Sequence, residues 1–171
     1  MTRTRRLWVP LLMGLLVAGM LGVGGGGAVA AEPRLTTVSV MIPAAAFFPT
    51  LDDWDYGNSG FGLYVTSGSG NFIAPLTFPV PVVNIKKITL YAYDNDGLKE
   101  VCVTLYRARP ADAAEDTTGQ VCTLDGSAPQ YASTTLISPR RVTTASQGAY
   151  LWVSIGGPGL WLYGVKVNYS Y

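Results

Sequence analysis

Carboxylates are the side chains of this chain that could do acid–base chemistry, because none of the 171 residues is a histidine. Ser-His-Asp and Cys-His nucleophile systems and histidine-rich zinc sites are therefore excluded. Aspartates cluster at Asp52, Asp53 and Asp55 and again at Asp94 and Asp96. Two carboxyl groups about 5–10 Å apart around a sugar would suit a glycosidase, so a carboxylate-based hydrolase is one hypothesis. Aspartates in turns usually bond backbone N–H groups instead, and we expect no enzyme.

Residues 94–97 read Asp-Asn-Asp-Gly, which also raises the hypothesis of a calcium site. The EF-hand template fails, because Ala92 and Val103 would occupy its first and twelfth positions, where carboxylates are required. An irregular oxygen cage built on Asp94 or Asp96 stays open as an alternative. We otherwise expect no cofactor. The simpler prediction is a hairpin corner, since Asp-Gly is favoured in such turns.

Tyrosine and tryptophan side chains are the other candidates for function, because their polar ends seek water or a partner while their rings stay apolar. The candidate ligand-binding or partner-binding aromatics are Trp54, Tyr91, Tyr93, Trp152, Trp161 and Tyr163. Most of them alternate with leucine, alanine or valine, so one face of each strand could present rings to a sugar or another subunit. The alternative is that these rings fill the core.

Cys102 and Cys122 are the only cysteines, and both lie in β-patterned runs. If these runs pair as a hairpin centred near Asp112, the two cysteines face each other across the ladder. There is no C-x-x-C spacing that would indicate a redox pair. We predict a structural disulfide formed in an oxidising compartment.

Residues 1–31 have the features of an export signal. Three arginines precede the apolar run 7–23, a glycine tract follows, and residues 28–30 read Ala-Val-Ala, the small-x-small pattern of a cleavage site. This predicts cleavage near Ala30 or Ala31 and a secreted or cell-surface protein, with no stable transmembrane segment afterwards. Retention as an anchor is the alternative, although 17 residues interrupted by proline and glycine are at the short limit for a span.

Residues 32–171 are predicted to form one all-β domain, an antiparallel two-sheet β-sandwich of the jelly-roll kind. Proline, glycine, serine and threonine punctuate the chain every eight to twelve residues, and valine, isoleucine and tyrosine fill the intervals. About eight or nine strands are expected. Residues 51–60 are predicted to be a loop, and residues 71–83, with three prolines, an edge strand or connector. Gly164 predicts a bulge in the last strand.

The charge pattern argues against nucleic acid as a partner. Without the leader, nine basic and eleven acidic residues remain. In residues 32–171, Lys86-Lys87 and Arg140-Arg141 are the only adjacent basic pairs, and two pairs do not make a basic patch.

Three short motifs together resemble a group of exported bacterial proteins built from one uncharacterised β-sandwich domain. Residues 42–47 read I-P-A-A-A-F, residues 88–96 read I-T-L-Y-A-Y-D-N-D, and residues 164–169 read G-V-K-V-N-Y. The resemblance implies an extracytoplasmic, single-domain β protein without known catalytic residues. It carries no site residue over to this chain.

The sequence therefore predicts a non-catalytic exported structural or interaction module that binds a protein partner or associates with itself through sheet edges. The alternative is a carbohydrate-binding module that uses exposed aromatics. Exposure of Trp54, Trp152 and Trp161 separates the two hypotheses, because a glycan-binding site needs accessible rings.

Overall fold

The computed structural model describes residues 35–124, 126 and 128–171, which fold into two antiparallel sheets packed face to face. The predicted export signal, residues 1–31, lies outside the described residues. Helix within the described part is limited to two three-residue 3-10 segments, Ala44–Ala46 and Pro110–Asp112. No helix in that part is both long and apolar enough to cross a membrane. The predicted all-β sandwich is confirmed.

The described residues form twelve strands. In chain order these are β1 (Thr37–Pro43), β2 (Phe48–Pro49), β3 (Tyr56–Asn58), β4 (Leu63–Val65), β5 (Gly70–Leu76), β6 (Val82–Asp94), β7 (Val101–Arg109), β8 (Ala114–Cys122), β9 (Ala128–Thr134), β10 (Arg141–Thr143), β11 (Gly148–Ile155) and β12 (Trp161–Ser170). Sheet A is built around β6 and β12, which pair with each other. On the outer sides, β12 pairs with β1 and β4, β4 with β3, and β6 with β9 and β10. Sheet B has the order β2-β5-β11-β7-β8.

The core lies between the sheets and is made by side chains that alternate along the strands, except where β6 and β12 shift register. In β11, Leu151 and Val153 are fully buried, while Tyr150 and Trp152 are only half-buried on the other face. Val165 and Val167 of β12 are fully buried from the opposite sheet. Each such aliphatic side chain contributes roughly 1.5–3 kcal/mol by leaving water, so the apolar face of each strand is fixed against the other sheet.

The turn at residues 94–97 is not a hairpin corner, and this prediction was wrong. It carries the chain from β6 in sheet A to β7 in sheet B, and residues 156–159 carry it back from β11 to β12. The two-residue hairpin turns favoured by Asp-Gly need positive φ angles, and none of residues 95–97 has one. The two connections pack together, with the Gly156 N–H donating to the Glu100 carbonyl at 3.0 Å.

Three very short strands escaped the sequence prediction. β2, β3 and β10 have two or three residues each, too few for alternation to show, and β3 lies within the predicted loop 51–60. The proline-rich run contains β5, which pairs with β11 along its length but with β2 only at Ile73 and Phe72. Pro75 therefore lies where the outer side of β5 is open, as an edge position requires.

The predicted disulfide is confirmed. Cys102 and Cys122 are directly opposite in the β7–β8 ladder and are bonded with an S–S distance of 2.03 Å. The hairpin tip is the 3-10 segment Pro110–Asp112, as the expected centre near Asp112 requires. Ala113 completes the tip in the left-handed region at φ 51°.

Candidate functional site on the outer face of sheet A

The aromatic candidates of β6 and β12 lie on the outer face of sheet A. Trp161 pairs with Tyr93 of β6 on one side and with Tyr64 of β4 on the other, and all three side chains are half-buried. Their chain neighbours Leu162 and Ala92 point into the core and are fully buried. The aliphatic face of these strands therefore makes the core, and the rings are left at the surface.

A bulge in β12 brings further aromatic side chains together. The β6–β12 register shifts between Leu162 and Gly164, so Tyr163 has no partner of its own in β6. Gly164 pairs with Tyr91 on one side and with Pro43 of β1 on the other. A Cβ at Gly164 would lie 2.7 Å from the carbonyl oxygen of Ile42. The bulge predicted at Gly164 is confirmed, and glycine is needed there because β1 passes so close.

An apolar groove of about 330 Å³ lies at this bulge. Its lining residues are Met41, Pro43, Phe61, Tyr91, Tyr163 and Gly164. Phe61 is 75% exposed and its ring centroid lies 5.2 Å from that of Tyr163. Tyr131 of β9, 79% exposed, pairs with Tyr91 and extends the apolar surface. The groove is thus lined by rings that are open to a ligand.

Glycines next to the groove let two rings lie close to the backbone. The Tyr64 and Trp161 rings stack with centroids 4.3 Å apart and an interplanar angle of 29°. A Cβ at Gly57 would clash with the Tyr64 ring, and one at Gly62 would lie 2.8 Å from the Trp161 ring. The two stacked rings lie on the outer face of sheet A, at the end of the sheet where β12 begins.

The same face becomes polar and cationic further along β12. Lys166 lies opposite Met41 of β1 and Thr89 of β6, and Asn168 lies opposite Lys87 of β6. Within the described part of the chain, neither Lys87 nor Lys166 forms an ion pair. The outer face of sheet A therefore joins a stacking surface to a row of hydrogen-bond donors.

Trp152 lies on the other side of the molecule, on the outer face of sheet B. Its indole N–H donates to Asn71 Oδ1 at 3.3 Å, and the rings of Tyr106 and Tyr150 stack beside it with centroids 5.1 Å apart. The Tyr150 hydroxyl donates to Glu115. Burial, and then this contact with Glu115, raises the pKa of Tyr150 above its ordinary range. The polar ends of Trp152 and Tyr150 are thus satisfied internally.

Trp54 lies in the chain between β2 and β3 and is not one of the residues that line the groove. Its indole nitrogen is buried and has no hydrogen-bond partner among the described residues. Trp54, Trp152 and Trp161 are all half-buried, so none of the three indoles is fully buried in the core.

The aspartates of the second acidic cluster serve the connection between β6 and β7. Asp94 is fully buried, with one carboxylate oxygen accepting from the Asp96 N–H at 3.0 Å and the other from the Thr123 hydroxyl. Asp96 accepts from the Leu98 N–H at 2.9 Å. Asp94 is therefore out of reach of a polymeric substrate, which weakens the hydrolase hypothesis. Calcium binding at Asp94 and Asp96 stays a hypothesis.

No acidic side chain is among the described residues that line the groove. Asp52, Asp53 and Asp55 are exposed in the segment before β3, and Asp55 accepts from the Ser67 hydroxyl at 3.2 Å. Among the described residues, the one cluster of three potential metal ligands joins Glu100 to Cys102 and Cys122, whose sulfurs are already bonded to each other.

Sequence reasoning missed several residues of the groove. Phe61 and Met41 of the groove, and Tyr131 next to it, are not among the predicted site residues, because the sequence alone does not show whether an apolar side chain is exposed or buried. The glycines at 57 and 62 beside Tyr64 were the available signal, since glycine in or next to a strand often marks a close approach.

No protein-family model and no curated protein matches this chain. Several solved structures match this chain at low identity and with TM-scores below 0.5. The xylan-binding module CBM15 matches with a TM-score of 0.46 and 10% identity over 78% of this chain and 97% of that one. The low-affinity xylan-binding module CBM86 from Roseburia intestinalis matches with a TM-score of 0.43 and 15% identity, covering 76% of this chain and 94% of the module.

A family two carbohydrate esterase from Cellvibrio japonicus matches with a TM-score of 0.45 and 8% identity, over 79% of this chain but only 34% of the esterase. The chain thus spans about a third of that enzyme. Matches at these scores and identities do not specify a function for this chain.

Proposed function

We propose that this protein binds a polysaccharide on the outer face of sheet A and catalyses no reaction. The observation that carries the proposal is the groove at Gly164. Phe61, Tyr91 and Tyr163 line this groove with aromatic rings, and Lys166 lies beside it in the row of hydrogen-bond donors. Binding sites for small polar molecules combine an apolar lining with a few placed polar groups. A sugar ring has the complementary surface, with apolar C–H faces and hydroxyls at its edge.

The exposure of the rings favours a binding role over a structural one. Phe61 is 75% exposed and Tyr131 79%, although each could bury a large apolar area. Contiguous exposed apolar surface of this kind marks interaction sites in soluble proteins. The packing of the core does not explain these rings, because the inner faces of β6 and β12 are filled by Leu90, Ala92 and Leu162.

The proposal of binding without catalysis rests on the chemistry of the available groups. The chain has no histidine, and Asp94 is buried and engaged by Thr123. A general acid or base must reach the proton that it transfers. The residues that line the groove carry no carboxyl group.

We further propose that the protein acts outside the cytoplasm. The disulfide between Cys102 and Cys122 supports this, because such bonds persist in oxidising compartments. The predicted export signal at residues 1–31 supports the same conclusion from the sequence.

A protein partner is the second candidate for the same surface. It is favoured by Met41 and Tyr131, which are exposed on two sides of the groove and would suit a flatter apolar contact. Self-association through this face would appear in light scattering as a mass that rises with protein concentration and falls in the variant Tyr131→Ala.

Affinity electrophoresis in gels that contain single polysaccharides, followed by calorimetry, tests the main proposal. Phe61→Ala and Tyr163→Ala should each weaken binding roughly tenfold, because each removes one stacking ring. Phe48→Ala is the matched control, since Phe48 is 61% exposed and lies opposite Ile73 on the outer face of sheet B. The proposal is wrong if no polysaccharide binds, or if Phe48→Ala weakens binding as much as Phe61→Ala.

A further inference from the structure

We infer that the polysaccharide bound by this face is anionic, with uronate carboxylates or sulfate esters along its chain. This inference rests on the proposed function and names its ligand class. It is carried by the lysines that sheet pairing places next to the groove, Lys166 and Lys87. The hydroxyls of a neutral polysaccharide could accept hydrogen bonds from these two ammonium groups but would supply no counter-charge.

Lys166 is the cation nearest to the groove along β12. It is the second residue after Gly164, which corresponds to roughly 7 Å along a strand. Its register partner on β1 is Met41, which itself lines the groove. A sugar stacked on Tyr91 or Tyr163 therefore brings its own substituents, or the next sugar of its chain, within reach of the Lys166 ammonium.

Lys87 continues the positive surface away from the groove. Lys166 pairs with Thr89, and Lys87 is the outward-facing position two residues before Thr89 on β6. Such diagonal neighbours in an antiparallel pair lie roughly 7–8 Å apart. Arg141 of β10, exposed opposite Asn84 of β6, lies further along the same side of sheet A. Cations from three strands thus form a stripe that starts at the groove.

Among the described residues, no acidic side chain forms an ion pair with Lys166, Lys87 or Arg141. At the register positions around Lys166 and Lys87 stand Met41, Thr89 and Asn168, none of them acidic. The two arginines of β7 in sheet B, in contrast, form ion pairs with acidic side chains. Arg107 donates to Asp116 at 2.6 Å, and Arg109 forms ion pairs with Asp112 and Asp116. Paired cations in sheet B serve the fold, whereas the lysines of sheet A are available to an external anion.

An anionic membrane would also attract the stripe, but it would make no use of the groove. Charge attraction to a lipid surface depends on the number of cations near it. A groove of about 330 Å³ at one end of the stripe instead suits a ligand with both an apolar face and a charge. Binding to an anionic membrane that does not depend on the groove would therefore contradict the inference.

The experiment compares matched acidic and neutral polymers by calorimetry with the full protein. The pairs are polygalacturonate with its methyl ester, and dextran sulfate with dextran, so carboxylate and sulfate are tested separately. We expect at least one acidic polymer to bind about tenfold more tightly than its neutral partner. Lys166→Met and Lys87→Met should each abolish most of this difference, and added NaCl should weaken the acidic polymer alone.

Lys99→Met is the matched control, because it removes the same charge from the connection between β6 and β7, where Lys99 pairs with Asp96 at 3.8 Å. Phe61→Ala should weaken the acidic and the neutral polymer alike. The inference is overturned if neutral polymers bind as tightly as acidic ones, or if Lys99→Met acts like Lys166→Met. It is also overturned if phosphatidylglycerol vesicles bind more tightly than any polymer and Phe61→Ala has no effect. Absence of binding to every polymer would refute the proposed function itself.

Discussion

The carboxylate of Asp94, at the end of β6 in sheet A, accepts a hydrogen bond from the hydroxyl of Thr123, which directly follows β8 in sheet B. Asp94 is fully buried and Thr123 is 2% exposed. Thr123 in turn accepts from the Val101 N–H at 3.1 Å. A single buried carboxylate thus joins the two sheets at the end where Tyr93 and Trp161 begin the aromatic face.

Asp94→Ala should lower the free energy of unfolding by about 2–4 kcal/mol, because it leaves the Thr123 hydroxyl and the Asp96 N–H without their acceptor. Urea unfolding followed by tryptophan fluorescence measures this loss. Asp52→Ala, at an exposed position, serves as the control and should change stability by less than about 0.5 kcal/mol. Equal stability of the Asp94 variant and the original protein would contradict the role given to this contact.

Gly164→Ala should destabilise the protein by about 1–3 kcal/mol, because the new methyl group would meet the backbone of β1 at Ile42. It should also weaken polysaccharide binding, since Met41 and Pro43 of β1 line the groove and would have to move. Thermal unfolding and calorimetry measure the two effects. In Gly97→Ala the methyl group meets nothing within 4 Å, so this variant should leave both stability and binding unchanged.

Asp116→Asn should reduce the sensitivity of the protein to acid. The hydrogen bond from Arg107 holds the pKa of Asp116 below its ordinary value of 3.8. A carboxyl group whose pKa is lower in the folded state stabilises that state above the unfolded pKa, and this contribution is lost as the pH falls through the folded pKa. Between about pH 5 and pH 3, the melting temperature should therefore fall more in the original protein than in Asp116→Asn.

A double-mutant cycle isolates this effect. In an Arg107→Met background the hydrogen bond is absent, so Asp116→Asn should change the acid dependence much less. If the substitution has the same effect with and without Arg107, the ion pair is not the cause of the acid dependence.

Long strands and the disulfide could be predicted because their signals are local. In β11, Tyr150 and Trp152 alternate with Leu151 and Val153, and the spacing of Cys102 and Cys122 sets them opposite each other in one hairpin. Residues 94–97 show where local signals fail. The residue types at 94–97 predict that the chain bends there. They do not show which sheet the next strand joins, because that depends on the packing of the whole domain.

The binding face could be predicted only in fragments. Tyr91, Tyr93, Trp161 and Tyr163 were identified as a strand face that could meet a ligand, and sheet A places all four on its outer surface. Trp152 was grouped with them but lies on sheet B, because β11 pairs with β5 and β7. The lysine pair at 86–87 and the arginine pair at 140–141 do not make a basic patch in the sequence, whereas pairing of β6 with β12 and β10 places Lys87 and Arg141 in a cationic stripe with Lys166.

The amino-acid sequence alone determined that the chain is β-structured, which side of each long strand is apolar, and that two cysteines close one hairpin. The first two properties follow from a pattern that repeats every second residue, and the third depends on one short segment. They can therefore be predicted without knowledge of the tertiary structure. The tertiary structure decided which strands became neighbours, and therefore which side chains share a surface. Met41, Phe61 and Tyr163 are far apart in the chain, and only the packing of the apolar faces into one core sets the pairing that brings them to a common groove.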